Sequence, residues 1–147
     1  MRWLDQHIDL EKNKAVAGHV EGLKLDAMRE LCAVLGDPQD DQPTIHLTGT
    51  NGKGSVARIV TALLGAHDLT VGTYTSPHLE VINERISRNG EPISDDALAT
   101  VLTDLAAIEG ILDFQPSYFE LLTAAAFRWF SDEAVSAAVV EVGMLGR

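Results

Sequence analysis

The chain has 147 residues, of which 46% are hydrophobic, and its formal net charge is −11 at pH 7. This composition is typical of one globular domain, and the negative charge argues against a general nucleic-acid-binding surface, which would be basic. The sequence contains no apolar run of the roughly 20 residues that a membrane helix needs, and its N-terminus lacks the apolar core of a secretory signal. We therefore expect a soluble, cytoplasmic protein in which the single cysteine, Cys32, is a small core residue.

Helices and strands alternate along the first half of the chain. Apolar residues from Leu25 to Leu35 have helical spacing, and Gly36 and Pro38 form a stop signal. "TIHLT", residues 44–48, and "LTVGTYT", residues 69–75, are predicted to be strands. The positions Val56, Ile59, Val60, Leu63 and Leu64 mark a helix between them. Strand, glycine turn, helix and strand make a βαβ unit.

The second half continues the same alternation. Asn89-Gly90 is a turn signal, and Ser94 is expected to cap a helix. Ser117 and Glu120 have the spacing of a capping box, which explains Glu120 without a catalytic role. "VSAAVVEVG", residues 135–143, is apolar on both faces, as a strand buried in a parallel sheet would be. The sequence predicts an α/β fold with a mostly parallel, doubly wound sheet flanked by helices, in one domain of residues 1–147.

The loop "LTGTNGKGS" departs from the Walker pattern. Leu47 stands where that pattern has its first glycine, and Gly54 follows Lys53 where it has Ser or Thr. The loop nevertheless joins a predicted strand to a predicted helix, so its backbone N–H groups can converge on an anion. Lys53 can reach terminal phosphates, and Ser55 can ligate Mg²⁺. We predict a P-loop-type nucleotide site formed by Gly49, Thr50, Asn51, Gly52, Lys53, Gly54 and Ser55; the alternative is a plain strand-to-helix turn with a solvated lysine.

Other candidates follow the second and third strands. In open α/β sheets ligands bind at the carboxyl edge, where we expect Ser76 and His78 to lie. For Ser76, spacing alone favours a plain Ser-Pro turn over a ligand contact. For His78, a surface histidine is an equally open alternative to a ligand contact. Arg85 could orient an anionic substrate group or form a surface ion pair. Glu141 ends a valine-rich strand, where a carboxylate is costly unless it is paired, metal-bound or simply exposed.

Five stretches together resemble the Mur ligase superfamily. "IHLTGTNGKGSVA" is similar to its nucleotide loop, and the Gly54-Ser55 ending resembles the folylpolyglutamate synthase/dihydrofolate synthase branch. "GLKLDAMRELCAVLGDP", "VGTYTSPHLEVINERI", "SYFELLTAAAFRWF" and "VVEVGMLGR" agree in order and spacing, from about residue 20 to the end. One departure is Leu145-Gly146, where the family more often has two glycines.

The resemblance implies an ATP- and Mg²⁺-dependent ligase that joins L-glutamate to a folate or dihydropteroate through an acyl phosphate. Lys53 would be the catalytic cation, Ser55 and Glu141 would hold Mg²⁺, and Ser76 would contribute to a second Mg²⁺ near the reacting phosphate. His78 and Arg85 are candidate substrate contacts. Phe119, beside Tyr118, is a candidate apolar wall for a pterin, with core packing as the alternative.

Family members extend beyond a stretch like this one, so we expect an N-terminal, truncated part of a ligase whose glutamate ligase domain is absent from the chain. Such a part is expected to be inactive alone, and a monomer is expected. Two other functions remain open. One is a Mur-type ligase of cell-wall precursors, and the other is a nucleotide-binding module without catalysis.

Overall fold

The computed structural model describes residues 3–7 and 25–142. Within them, the helices are α1 (Leu25–Val34), α2 (Lys53–Gly65), α3 (Asp95–Glu109) and α4 (Tyr118–Asp132). The strands are β1 (Thr44–Leu47), β2 (Val71–Tyr74), β3 (Ile86–Arg88), β4 (Glu91–Pro92) and β5 (Ala137–Glu141). Short 3₁₀ turns cover Leu4–Gln6, Pro38–Asp40 and Ile82–Arg85. In this part of the chain every helix is too short or too polar to span a membrane.

The five strands form one sheet in the order β1-β5-β2-β3-β4. β5, the last strand in the sequence, lies between β1 and β2 and pairs in parallel with both. β3 and β4 extend the sheet in antiparallel fashion, joined by the predicted Asn89-Gly90 turn. The predicted mostly parallel core is confirmed, while the β3–β4 hairpin was predicted only as a turn.

Helices cover both faces of the sheet, which confirms the doubly wound arrangement. Ala138 and Val140 of β5 belong to the large core that contains residues of α3 and α4, whereas Val139 packs with Ala57 of α2. Successive strand residues point to opposite faces, so α2 and α4 lie on opposite sides of β5. Trp129 and Phe130 are buried on the α4 side.

Helix α2 is confirmed, but its predicted apolar stripe is only partly covered. The helix faces the sheet through Ala57 and Thr61, which are buried. Val56, Ile59 and Leu63 are 44%, 58% and 61% exposed. The small residues set the contact because they allow the helix to approach the sheet closely.

The predicted helix ends are confirmed. Ser94 Oγ accepts a hydrogen bond from Ala97 N at 3.2 Å. At α4, Ser117 Oγ accepts from Glu120 N at 3.3 Å and Glu120 Oε2 accepts from Ser117 N at 2.7 Å, which is the reciprocal pattern of a capping box. Glu120 therefore has the structural role that the sequence predicted.

Cys32 is buried in α1, as expected. Burial raises the pKa of its thiol to about 11, and the charges of Asp37 and Asp40 add to the effect. The thiol is therefore protonated at neutral pH and is not a reactive nucleophile.

Gly72 allows α4 to pack closely on β2. A Cβ atom at this position would lie 2.5 Å from Cδ1 of Phe130, whose side chain is fully buried. Carbon atoms of neighbouring groups normally approach to about 3.5–4.0 Å. The absence of a side chain at Gly72 is thus a packing requirement of the core.

The N-terminal segment is tied to the end of α3. Trp3 Nε1 donates to Glu109 Oε2 at 2.7 Å, and His7 Nε2 lies 2.7 Å from Glu109 Oε1. Burial alone would raise the pKa of Glu109, but the hydrogen bonds from His7 and Trp3 outweigh burial and hold this pKa below its usual value of 4.5. Residues 8–24 and 143–147, which include the Leu145-Gly146 departure, lie outside the described residues.

Candidate nucleotide and metal site

The glycine-rich loop leaves β1 and opens α2, as the sequence predicts. Gly52 is the N-cap of α2 with φ +76°, a left-handed conformation that glycine adopts without strain. Lys53, the first residue of the helix, donates from Nζ to the Gly49 carbonyl at 2.9 Å. Loop residues 48–52 are exposed, so the free N–H groups at the start of α2 are open to an anion.

Glu141 lies directly against the first turn of α2. It pairs in register with Leu47, the last residue of β1, and a Cβ placed on Gly54 would be 3.5 Å from Glu141 Oε2. The side chain is only 5% exposed, so the alternative of an exposed strand end is wrong. Burial raises the pKa of Glu141, and the positive charge of Lys53 partly offsets that effect. A cation at this carboxylate would reduce the cost of its burial.

Ser76 is placed at the same edge by β2. Tyr74, the last residue of that strand, pairs with Val140 beside Glu141, and Ser76 follows two residues later. Ser76 is buried, and its Oγ has no hydrogen-bond partner in the part of the chain that the structure describes. A buried hydroxyl without a partner costs free energy, and a bound ligand would remove that cost.

Three adjacent strands therefore end at one candidate site. β1 supplies the loop with Lys53 and Ser55, β5 supplies Glu141, and β2 leads to Ser76. Residues 3–7 and 25–142 contain no group of three or more His, Cys, Asp or Glu side chains that could hold a metal ion. One carboxylate with nearby hydroxyls suits Mg²⁺, which keeps several waters and shares phosphate oxygens. The residues present thus fit Mg²⁺ bound together with a phosphate better than a metal held by protein alone.

Arg85 and His78 form a hydrogen-bonded pair beside this edge. Arg85 Nε donates to His78 Nδ1 at 2.9 Å, and the guanidinium carbon lies 5.8 Å from the centre of the Tyr118 ring. Arg85 is only 2% exposed, so the alternative of a surface ion pair is wrong. His78 is half-buried rather than a free surface residue. Because His78 Nδ1 accepts this bond, the neutral ring carries its proton on Nε2.

Of the two aromatic candidates, Tyr118 lies in the core and Phe119 lies at its edge. Tyr118 is buried in the main core, as the packing alternative predicted. Phe119 is half-buried, with its ring centre 6.1 Å from that of Tyr74. Part of the Phe119 ring therefore remains available for a ligand.

A groove of about 730 Å³ opens on the α2 face of the sheet, between that helix and the β3–β4 hairpin. Thr61, Thr73 and Thr75 line its floor, and Glu80 and Glu84 lie among its other lining residues. None of the predicted site residues lines this groove, which lies next to the candidate site and is not part of it.

The comparisons with known proteins agree with the geometry. No family model matches the chain. The dihydrofolate synthase/folylpolyglutamate synthase of Mycobacterium tuberculosis is 43% identical over 134 residues, covering 84% of this chain and 28% of that protein. The crystal structure of folylpolyglutamate synthase from Thermotoga maritima superposes with a TM-score of 0.84 at 37% identity, covering 97% of this chain and 32% of that one. The chain belongs to the folylpolyglutamate synthase/dihydrofolate synthase family.

Two further folylpolyglutamate synthase structures carry ligands. The Mycobacterium tuberculosis enzyme complexed with ADP and AMPPCP has a TM-score of 0.80 at 43% identity, covering 82% of this chain and 29% of that one. An AMPPCP–folate complex has a TM-score of 0.76 at 36% identity, covering 92% of this chain and 35% of that one. The chain thus spans about a third or less of the length of the folylpolyglutamate synthases that it matches.

Glu84, a polar residue near this edge, had no role in the sequence analysis beyond its place in the family-like "ERI" stretch. The Glu84 carboxylate accepts hydrogen bonds from the backbone N–H groups of Leu79, Glu80 and Val81 at 2.8, 3.0 and 2.9 Å. Glu84 is the third residue of the 3₁₀ turn Ile82–Arg85, the position of the acidic partner in a capping box. Because the N-cap residue is Val81, which has no side-chain acceptor, the sequence lacks the Ser/Thr-x-x-Glu signature that would have revealed this role.

Proposed function

We propose that this chain provides the ATP site of a monomeric, cytoplasmic ligase that joins L-glutamate to the carboxylate of a folate or dihydropteroate. The observation that carries the proposal is the meeting of Lys53, Glu141 and Ser76 at the carboxyl edge of three adjacent strands. Relatives named as folylpolyglutamate synthases, one of them complexed with ADP and AMPPCP, support an ATP-dependent ligase.

The proposed reaction has two steps, a phosphoryl transfer and an amide-forming substitution. A folate carboxylate oxygen attacks the γ-phosphorus of ATP, the bond to the β–γ bridging oxygen breaks, and ADP leaves. The neutral amine of glutamate then attacks the acyl carbon, inorganic phosphate leaves, and the new amide nitrogen loses a proton. Phosphorylation converts a poor electrophile into one with a good leaving group.

The loop residues act by position and charge. The backbone N–H groups at the start of α2 bind the phosphates, and Lys53 releases the Gly49 carbonyl to reach the transferred phosphoryl group. Ser55, Ser76 and Glu141 are the proposed holders of Mg²⁺. When bound, this ion offsets the negative charge that builds up on the phosphoryl oxygens.

On the substrate side we propose that His78 and Arg85 orient an anionic group and that Phe119 contacts the pterin. Arg85 is held in place by its bond to His78 and by the Tyr118 ring, so its direction is set before a ligand arrives. The exposed part of Phe119, which follows the Tyr118 that Arg85 contacts, offers a flat apolar face.

Nucleotide binding tests the proposal first. Calorimetric titration of the 147-residue chain with MgATP should show saturable binding, and Lys53→Ala should weaken it by about tenfold or more because a charge-assisted contact is lost. Arg58→Ala is the matched control, since it removes one positive charge from the exposed side of the same helix. Equal binding by wild type and Lys53→Ala, or no saturable binding by wild type, would exclude the proposed site.

Ligand protection tests the substrate class. A folate added with MgATP should raise the melting temperature beyond the effect of MgATP alone, because a ligand that binds the native state stabilises it. A muramyl nucleotide at the same concentration serves as the control. Protection by the muramyl nucleotide instead would favour a cell-wall precursor ligase, and protection by neither would favour a nucleotide-binding module.

We also propose that complete turnover needs more of the ligase than this chain spans, because the chain covers only 28% to 35% of the relatives described above. The 147-residue chain should therefore release no ADP in a folate- and glutamate-dependent manner. Sustained release of ADP that requires both substrates would contradict this part of the proposal.

A further inference from the structure

The loop that presents Ser76 and His78 is closed at its base by the backbone. Thr75 N donates to the Arg85 carbonyl at 2.8 Å, so residues 75 and 85 are held together while the chain between them leaves the sheet. Two adjacent side chains then reach back into this loop. Arg85 holds His78 through the 2.9 Å bond described above, and Glu84 binds the following backbone.

Glu84 holds the outer part of the loop with one carboxylate. Its Oε2 accepts from Leu79 N, and its Oε1 accepts from both Glu80 N and Val81 N. These backbone N–H groups lower the pKa of Glu84, with Leu79 contributing most. The side chain is therefore charged at neutral pH, and it supplies three acceptor positions that a neutral amide, with one oxygen, supplies less well.

A capping role explains only part of this arrangement. The 3₁₀ turn Ile82–Arg85 begins after Val81, so the bond to Val81 N is the one that a capping residue makes. The bonds to Leu79 N and Glu80 N lie before the turn and restrain a segment that has no regular structure. Leu79 itself is 86% exposed, so packing does not hold this segment in place.

Ser76 follows Thr75 at the base of this loop, and its side chain is buried. Its Oγ makes no hydrogen bond in the described residues, so the direction of that hydroxyl depends on the backbone of the loop that carries it. A site that must place a hydroxyl next to a phosphate needs its supporting groups fixed before the ligand binds.

We propose that Glu84 is a positioning residue that fixes the 76–81 loop and thereby places the Ser76 hydroxyl for Mg²⁺ in the nucleotide complex. The inference rests on the proposed function, because that function assigns Mg²⁺ to Ser76. It adds a residue that makes no contact with ATP, folate or metal and acts through the backbone of Leu79, Glu80 and Val81.

The experiment compares nucleotide binding with and without Mg²⁺. ATP affinity is measured by calorimetry at zero and at several Mg²⁺ concentrations for wild type, Glu84→Ala and Glu84→Gln. Glu80→Ala is the matched control, since it removes a neighbouring exposed carboxylate that makes no side-chain hydrogen bond in the described residues. Amide hydrogen exchange at residues 79–81 is measured on the same samples.

Glu84→Ala should raise the Mg²⁺ concentration needed for half-maximal tightening by on the order of tenfold, the usual effect of losing a group that orients a metal ligand. Metal-free ATP affinity should stay unchanged, because the loop at Lys53 is separate. Glu84→Gln should fall between wild type and Glu84→Ala, and the amides of residues 79–81 should exchange faster in both variants. Glu80→Ala should match wild type in every measurement.

The outcomes separate the two proposals. If wild type binds no ATP, the proposed function fails. If wild type binds MgATP and Glu84→Ala has the same Mg²⁺ dependence as wild type, the inference about Glu84 fails while the nucleotide site stands. It also fails if Glu84→Ala weakens ATP binding without Mg²⁺ by the same factor as ATP binding with Mg²⁺. If Glu84→Ala does not fold, Glu84→Gln decides the matter, because it keeps one acceptor oxygen and a similar volume.

Discussion

Replacing Gly72 with alanine should destabilise the fold through a single contact. The new Cβ atom would lie 2.5, 2.7 and 2.7 Å from Cδ1, Cε1 and Cγ of Phe130. Ordinary carbon contacts are about 3.5–4.0 Å, so the ring or strand β2 would have to move by roughly 1 Å. Phe130 is a fully buried residue of α4 whose ring packs on β2, which leaves the ring little room to move.

The expected loss follows from two opposing effects. Overpacking a well-packed core typically costs about 1–3 kcal/mol. Alanine in a strand gains roughly 0.5–1 kcal/mol over glycine because the unfolded chain loses less entropy. The difference between the two effects is centred on about 1 kcal/mol and reaches about 2.5 kcal/mol. We therefore expect Gly72→Ala to lower the free energy of unfolding by about 1–2.5 kcal/mol, because the overlap with the ring is severe, and the melting temperature by roughly 2–10 °C.

Thermal unfolding followed by circular dichroism measures this change. Gly65→Ala is the control, because Gly65 ends α2 with no atom within 4 Å of an added Cβ, and its melting temperature should stay the same or rise. In the double variant Gly72→Ala/Phe130→Leu, the loss should be smaller than the sum of the two single losses, since the smaller side chain relieves the clash. A Gly72→Ala protein as stable as wild type, or strictly additive losses, would refute the packing argument.

Three further predictions concern charge and capping. Glu141→Gln should raise the melting temperature at neutral pH, because burial raises the pKa of Glu141 and the charged form opposes folding. This gain should shrink as the pH falls toward 4.5 and should be absent below it, where the carboxyl group is protonated in both the folded and the unfolded state. The variant should also lose Mg²⁺-dependent ATP binding. A lower melting temperature at neutral pH would contradict the first part. Glu109→Gln should lower the melting temperature at neutral pH, because the pKa of Glu109 is lowered in the fold and its charged form therefore stabilises the folded state. The difference in melting temperature between the variant and wild type should disappear as the pH falls below 4.5. A difference that does not change with pH would show that the charge is not the cause. Ser117→Ala should lower the free energy of unfolding, measured in urea, by about 1 kcal/mol because it removes the N-cap of α4. Ser136→Ala, on a loop, is the comparison and should lower the free energy of unfolding less.

The sequence predicted those features that depend on residues close together in the chain. The nucleotide loop was predictable because glycines, Lys53 and a helical pattern follow one another directly after an apolar run. The capping box of Ser117 and Glu120 was predictable for the same reason. Glu141 was predictable as a site candidate because a carboxylate at the end of an apolar strand has few structural uses.

Features that depend on distant pairings were not predictable from local patterns. The insertion of β5 between β1 and β2 is a property of the whole sheet, and it is what places Glu141 beside Gly54. The clash that excludes a side chain at Gly72 involves Phe130, which lies on a separate helix far along the chain. The bond between His7 and Glu109 likewise joins residues that are 102 positions apart in the chain.

Arg85 and Glu84 show a third limit. The sequence left Arg85 open between a substrate contact and a surface ion pair, and it gave Glu84 no role. Arg85 is buried because His78 and Tyr118 surround it, and neither contact follows from spacing. The Glu84 carboxylate accepts hydrogen bonds from three backbone N–H groups, which come within its reach only when residues 79–81 fold back toward the turn. Both roles arise from the shape of the loop rather than from a sequence period.

A crystal structure of this chain with AMPPCP and Mg²⁺ would test the central claim most directly. The account predicts that the terminal phosphates lie at the backbone N–H groups where α2 begins, with Lys53 released from the Gly49 carbonyl. It also predicts one Mg²⁺ near Glu141 and the Ser76 hydroxyl. A nucleotide bound elsewhere, such as in the groove between α2 and the β3–β4 hairpin, with Glu141 and Ser76 free of metal, would contradict it.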